Sequence, residues 1–86
     1  MPEICRFYGI VIRMYFTDHP PAHFHAEYGE YEALYAIDDC RMIAGAIPKR
    51  AHNLVVEWWE KCREELPEVW DLARHYQPLP KLPPLD

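Results

Sequence analysis

The apolar residues of this chain change period once, at Pro48, and that switch separates what can fold before it from what can fold after it. From Ile10 to Phe16 the residues Ile10, Ile12, Met14 and Phe16 alternate with Val11, Arg13 and Tyr15, the period of a half-buried strand. Thr17 to Pro21 then forces a turn, because proline cannot continue a ladder and restricts the residue before it. A second strand over Ala22–Tyr28 puts Phe24, Ala26 and Tyr28 on one face and His23, His25 and Glu27 on the other. Gly29-Glu30 suits a two-residue hairpin loop with glycine first, the type II′ preference, and leads into a third strand over Tyr31–Ile37. Asp38-Asp39-Cys40 reads as another turn, and Arg41–Ile47 as a weaker fourth strand diluted by alanines and Gly45.

After Pro48 the apolar positions Ala51, Leu54, Val55, Trp58, Trp59, Cys62 and Leu66 follow the 3.6-residue period of an amphipathic helix, with Pro48 suited to its first position. Lys49, Arg50, Asn53, Glu57, Glu60, Lys61 and Glu64 cover the rest of that surface. Pro67 ends or kinks the helix, and Pro67–Tyr76 forms a second, short one with Glu68 in its first turn and Arg74 and His75 in its last, as the helix dipole favours. The expected fold is α+β: an antiparallel meander sheet of three to four strands covered by one long amphipathic helix and a second short helix. Trp58 and Trp59 fit the core and rim of the covering helix.

The domain is expected to span 1–77, followed by an extended Pro-rich C-terminal tail over 78–86. Four prolines in those nine residues exclude helix or central strand. The polyproline II repeat of three would put Leu79, Leu82 and Leu85 along one edge, a pattern suited to an apolar groove or a partner.

The 86 residues bound the chain to one small domain, and their apolar content argues against disorder. A formal charge of −5 repels a phosphate backbone, so generic nucleic-acid binding is disfavoured. Cys5, Cys40 and Cys62 are odd in number and form no Cys-x-x-Cys pair, which implies reduced thiols in a cytoplasmic protein. No signal-peptide pattern opens the chain and no apolar run reaches membrane-span length, so neither export nor membrane insertion is expected.

The segment Asp18-His19-Pro20-Pro21-Ala22-His23-Phe24-His25 holds three of the five histidines. Matching like faces pairs Phe16 with Phe24, Met14 with Ala26 and Ile12 with Tyr28. That register sets Tyr15 opposite His25 and Arg13 opposite Glu27. The Gly29-Glu30 turn sets Glu32 opposite Glu27 and Leu34 opposite His25. One surface then gathers Arg13, Tyr15, His23, His25, Glu27 and Glu32. Three readings fit it. A His-x-His strand face is commonly just solvated. His23, His25 and Glu27, with His19 from the turn, suit zinc or a similar divalent metal. His23 and His25 with Arg13 and Tyr15 suit acid–base cleavage of a phosphodiester. No cofactor is otherwise expected. His19 has a structural alternative, a turn held by the Asp18 side chain. Lys49, Arg50 and Arg41 make at most a small basic patch near the helix start, and His52 and His75 carry no assigned role.

The run Ile4-Cys5-Arg6-Phe7-Tyr8-Gly9-Ile10-Val11-Ile12-Arg13-Met14-Tyr15-Phe16, followed by Asp18-His19-Pro20-Pro21-Ala22-His23-Phe24-His25-Ala26-Glu27-Tyr28, resembles the uncharacterised prokaryotic family known as domain of unknown function 4160. The resemblance extends through Pro48-Lys49-Arg50-Ala51 to Leu82-Pro83-Pro84-Leu85. It implies a short cytosolic bacterial protein, encoded beside another small protein in a toxin–antitoxin-like module, and it implies no reaction. His19, His23 and His25 match the signature, with Arg13 and Glu27 alongside. The expected role is protein interaction, with a neighbouring gene's small product or by self-association, through the tail or an open strand edge. The alternatives are a histidine-based ribonuclease toxin and a metal-binding regulatory domain.

Overall fold

Strand structure begins earlier than the alternation from Ile10 suggests. The computed structural model, which describes residues 3–16 and 19–85, contains β1 (Glu3–Phe7), β2 (Ile10–Arg13), β3 (His23–Tyr28), β4 (Tyr31–Ala36) and β5 (Met42–Ala46). These pair antiparallel in sequence order as one five-stranded sheet, followed by α1 (Lys49–Cys62) and α2 (Leu66–Arg74). The α+β meander is as expected, but the sheet has five strands rather than three or four. The additional strand is β1, whose Ile4 and Cys5 are both buried beside a register irregularity, so its period of two is broken. Tyr8 and Gly9 turn it into β2 with φ of 49° and 81°, the positive values that both central residues of a tight type I′ hairpin need.

The β2–β3 register also differs from expectation. Ile12 faces Ala26 and Ile10 faces Tyr28, a slip of two residues from the Ile12–Tyr28 pairing that face matching favours. A slip of two keeps every side chain on its face, so alternation fixes parity and leaves the register itself open. β2 stops at Arg13, and Met14, Tyr15 and Phe16 belong to the connection. The β3–β4 register is as read, with His25 opposite Leu34 and Glu27 opposite Glu32.

The helices cover one face of the sheet. α1 buries Ala51, Val55, Trp58 and Cys62, and α2 buries Leu66, Val69, Trp70 and Ala73. Pro67 lies in the first turn of α2, where its missing N–H costs no helical bond. Trp58 is fully buried, with its ring centroid 5.8 Å from that of Phe7 and 5.5 Å from that of Phe24. Trp59 is half-buried and donates its indole N–H to the Ile37 carbonyl at 2.7 Å, tying the helix to the end of β4.

Residues 78–85 carry neither helix nor strand and lie against β1 and α1. The Leu82 amide donates to the Ile4 carbonyl at 2.8 Å, the Trp58 indole to the Pro83 carbonyl at 3.0 Å, and Lys61 Nζ to the Pro84 carbonyl at 2.8 Å. Leu82 is buried, and Leu79 and Leu85 pack half-buried against the core. These three leucines therefore fill an apolar groove of their own chain.

The tightest backbone approach in the sheet is at Gly45, whose φ is 84° and where an added Cβ would lie 2.9 Å from the Ala33 Cα and closer still to the Glu32 carbonyl oxygen. Gly45→Ala should therefore cost more than about 2 kcal/mol in urea unfolding, through backbone strain and a clash with β4. Leu82→Ala should cost about 2 to 3 kcal/mol by the same measurement, as for a buried leucine. A change near zero for Leu82→Ala would mean that the tail leaves its groove in solution.

Candidate functional site

The sheet face away from the helices carries the polar row. His25 and Glu27 alternate along β3, Arg13 ends β2, and Glu32 lies near the start of β4. Because of the two-residue slip, Arg13 sits opposite His25 rather than Glu27. It still reaches Glu27 along the diagonal, with Nε donating to Oε2 at 3.1 Å, within the span long side chains cover across a ladder. That leaves Glu32 for His25, whose Nδ1 lies 3.1 Å from the Glu32 carboxylate. The repulsion between two facing carboxylates is thus relieved by two different groups. Both pairs are partly solvated, so each contributes at most about 1 kcal/mol to stability.

Tyr15 reaches the row from the β2–β3 connection, its ring edge-on to His25 at a centroid distance of 4.5 Å. His23 is not on an open surface. It is 6% exposed, its Nδ1 lies 2.8 Å from the Pro21 carbonyl, and its ring centroid is 5.4 Å from Trp70 and 5.2 Å from His25. The hydrogen bond to a carbonyl places a proton on Nδ1 of His23. Trp70 of α2 is what covers this end of β3, a contact across the fold that strand alternation cannot reveal. His19 is exposed. The turn-forming hydrogen bond expected from Asp18 lies outside the described residues.

Of the sequence-derived set, the structure therefore brings together Arg13, Tyr15, His23, His25, Glu27 and Glu32. Among the described residues no three His, Cys, Asp or Glu side chains are grouped as metal ligands. Leu79, Leu82 and Leu85 lie apart from this row, against the core.

One polar pair escaped the sequence reading. The Tyr35 hydroxyl and His52 Nδ1 share a hydrogen bond of 2.9 Å, and their rings stack at 5.6 Å. His52 follows buried Ala51 on α1, so it borders the apolar stripe; that position was its signal. Burial, with a smaller contribution from Cys40, pushes the Tyr35 phenol up to about 12. A second missed feature lies where the Tyr8-Gly9 turn, Tyr28 and the first turn of α1 meet, forming a groove of about 770 Å³.

The three cysteines are buried and unpaired. Burial raises the Cys5 thiol pKa, pushes Cys40 up to about 12 with help from Asp39, and pushes Cys62 up to about 11 with help from Glu65. Thiols held protonated in this way are poor nucleophiles.

A five-stranded antiparallel meander with two helices on one face and a histidine-bearing polar row on the other defines a small α+β domain. The chain belongs to the family described as domain of unknown function DUF4160, whose model matches residues 9–71. No curated protein and no solved structure matches it.

The raised acids have a consequence for stability. A phenol or thiol whose folded pKa lies above its unfolded value contributes stability that is fully present below the unfolded pKa and lost as pH rises towards the folded one. For Tyr35, Cys40 and Cys62 the window runs from 9 or 10 up to about 12. Thermal midpoints should be level with respect to these groups up to pH 9 and fall above it. Tyr35→Phe should flatten part of that fall, and an unaltered alkaline profile in this variant would refute the assignment to Tyr35.

Proposed function

We propose that this chain is a protein-interaction component of a toxin–antitoxin-like module, and that it pairs with a small partner protein through the edge of β5. The module is what the family resemblance implies, and the observation that carries the interaction is the asymmetry of the two sheet edges. β1 is the first edge strand, and its outward Ile4 carbonyl is taken by Leu82 of the chain's own tail. β5 is the other edge; every residue of Met42–Ala46 is exposed, including Met42 at 36% and Ile43 at 39%. A strand edge that carries apolar side chains and no charge is a ready template for strand addition.

The edge is selective as well as open. Leu34 and Tyr35 face Ala44 and Met42, so Ile43 is an extra residue that bulges from the ladder. Bulges discourage indiscriminate edge pairing and re-aim a side chain, so a partner must fit the bulge and receive Ile43. The tail, the other route open on sequence grounds, is engaged with its own domain.

Co-expression with the small neighbouring gene product that the family resemblance implies, followed by size-exclusion chromatography with light scattering, tests the reading. A stable complex at micromolar concentration is expected, lost on Ile43→Lys while the circular dichroism of the isolated chain is unchanged. Separate elution of two folded monomers, or a complex indifferent to Ile43→Lys, would count against it.

A second reading, cleavage of an RNA phosphodiester by the histidine row, is favoured by one observation. His25 is oriented by the Glu32 carboxylate at 3.1 Å and lies beside Tyr15 and His23, the arrangement of a base held by a carboxylate. Induced expression of the wild type beside His25→Ala should then arrest growth and cleave RNA only in the wild type. Absence of both effects in the wild type would end this reading.

A further inference from the structure

The groove beside the first turn of α1 shares no lining residue with the histidine row or with β5, and its lining combines two chemistries. Tyr8 and Tyr28 provide aromatic surface and Leu54 an apolar floor, while Lys49, Arg50 and Asn53 line the helix side. The backbone of the β1–β2 turn sets this up. Tyr8 is held at φ 49° with its side chain largely in solvent, at 59% exposure. Gly9, at φ 81°, closes the turn beside Tyr28, whose Cε1 lies at ordinary contact distance, 3.6 Å, from where a Cβ on Gly9 would stand. Two tyrosines are thereby presented at one turn.

The cations are the second observation. The chain carries a formal charge of −5, yet this groove holds Lys49 and Arg50 and, among its described lining residues, no carboxylate. Neither cation forms an ion pair with another described residue, and the first turn of α1 contains no acidic residue. Placing two positive charges at the positive end of a helix is unfavourable for the isolated chain. An anion bound between them would relieve that cost. The volume, about 770 Å³, lies in the range of small-molecule sites and exceeds what an inorganic anion needs.

We propose that this groove binds a nucleoside phosphate, with Tyr8 and Tyr28 stacking on the base, Lys49 and Arg50 neutralising the phosphate, and Asn53 hydrogen-bonding to the sugar or base. Every base presents a π-face, so aromatic stacking accepts any of them, and a charged head fixes the orientation. The ligand is either a free mononucleotide or the terminal nucleotide of a single-stranded RNA. Both present the same chemistry to the groove.

Amide chemical shifts of the full-length chain, titrated separately with adenosine monophosphate, adenosine, inorganic phosphate and a short single-stranded RNA, test the proposal. Adenosine monophosphate should give saturable shifts at residues 8–9, 28 and 49–54, with affinity at least about tenfold above that of adenosine or phosphate. Lys49→Ala combined with Arg50→Ala should abolish these shifts. Tyr8→Asn, which suits the left-handed backbone there, should weaken the nucleotide and leave phosphate unaffected. Tighter binding of the RNA identifies a chain end as the source, and tighter binding of the mononucleotide identifies the free ligand. Absence of saturable shifts at millimolar nucleotide overturns the proposal. So do shifts that survive the double substitution and equal affinity for phosphate alone.

Discussion

The Pro83 carbonyl holds together three parts of the chain that sequence order keeps far apart. It accepts the Trp58 indole N–H at 3.0 Å, and the Cys5 and Cys62 sulfurs lie 3.6 and 3.8 Å from it. Trp58 in turn packs against Phe7 of β1 and Phe24 of β3. A buried indole without a partner would cost about 1 to 3 kcal/mol, so the tail supplies what the tryptophan-bearing helix needs in order to close on the sheet. The tail is therefore a structural element of this fold, although it forms neither helix nor strand.

That arrangement decides which surfaces remain for other molecules. With Leu82 hydrogen-bonded to Ile4, the first edge of the sheet is blunted from within. The second edge is left to β5, where the bulge at Ile43 and the left-handed Gly45 restrict the pairing geometry. An acidic chain with one edge capped at Ile4 by its own tail, an exposed bulged edge and a small basic aromatic groove presents separate surfaces, the last two proposed for a protein partner and for a small anion. The histidine row lies on a third surface. There His23 packs against Trp70 and bonds to the Pro21 carbonyl, while His25 pairs with Glu32 and meets Tyr15, so the two imidazoles differ in their partners.

Period and punctuation made much of this legible. The change at Pro48 marked the start of helix, the Gly29-Glu30 turn fixed the β3–β4 register, and the apolar stripe identified Trp58 as core. What stayed hidden has physical reasons. β1 breaks alternation because Ile4 and Cys5 are both buried, although Gly9 after Tyr8 signalled a turn ahead of Ile10. The β2–β3 slip preserves faces, so no pattern of burial can detect it, and it exchanged the partner of Arg13 across the ladder. His23 was assigned to the correct strand position, but its burial depends on Trp70, which lies 47 positions later in the chain. The groove at Tyr8 and Lys49 draws on three elements, and only the basic pair at the helix start could be seen in one dimension.

The most direct test of the central claim, that the tail caps one sheet edge while the other edge stays open, is amide hydrogen exchange of the isolated full-length protein. The account predicts that the Leu82 amide exchanges as slowly as the amides of β2 and β3, whereas the outward amides of β5 exchange within the dead time of an unprotected strand. Rapid exchange at Leu82, or slow exchange along both faces of the β5 ladder in the free monomer, would contradict it.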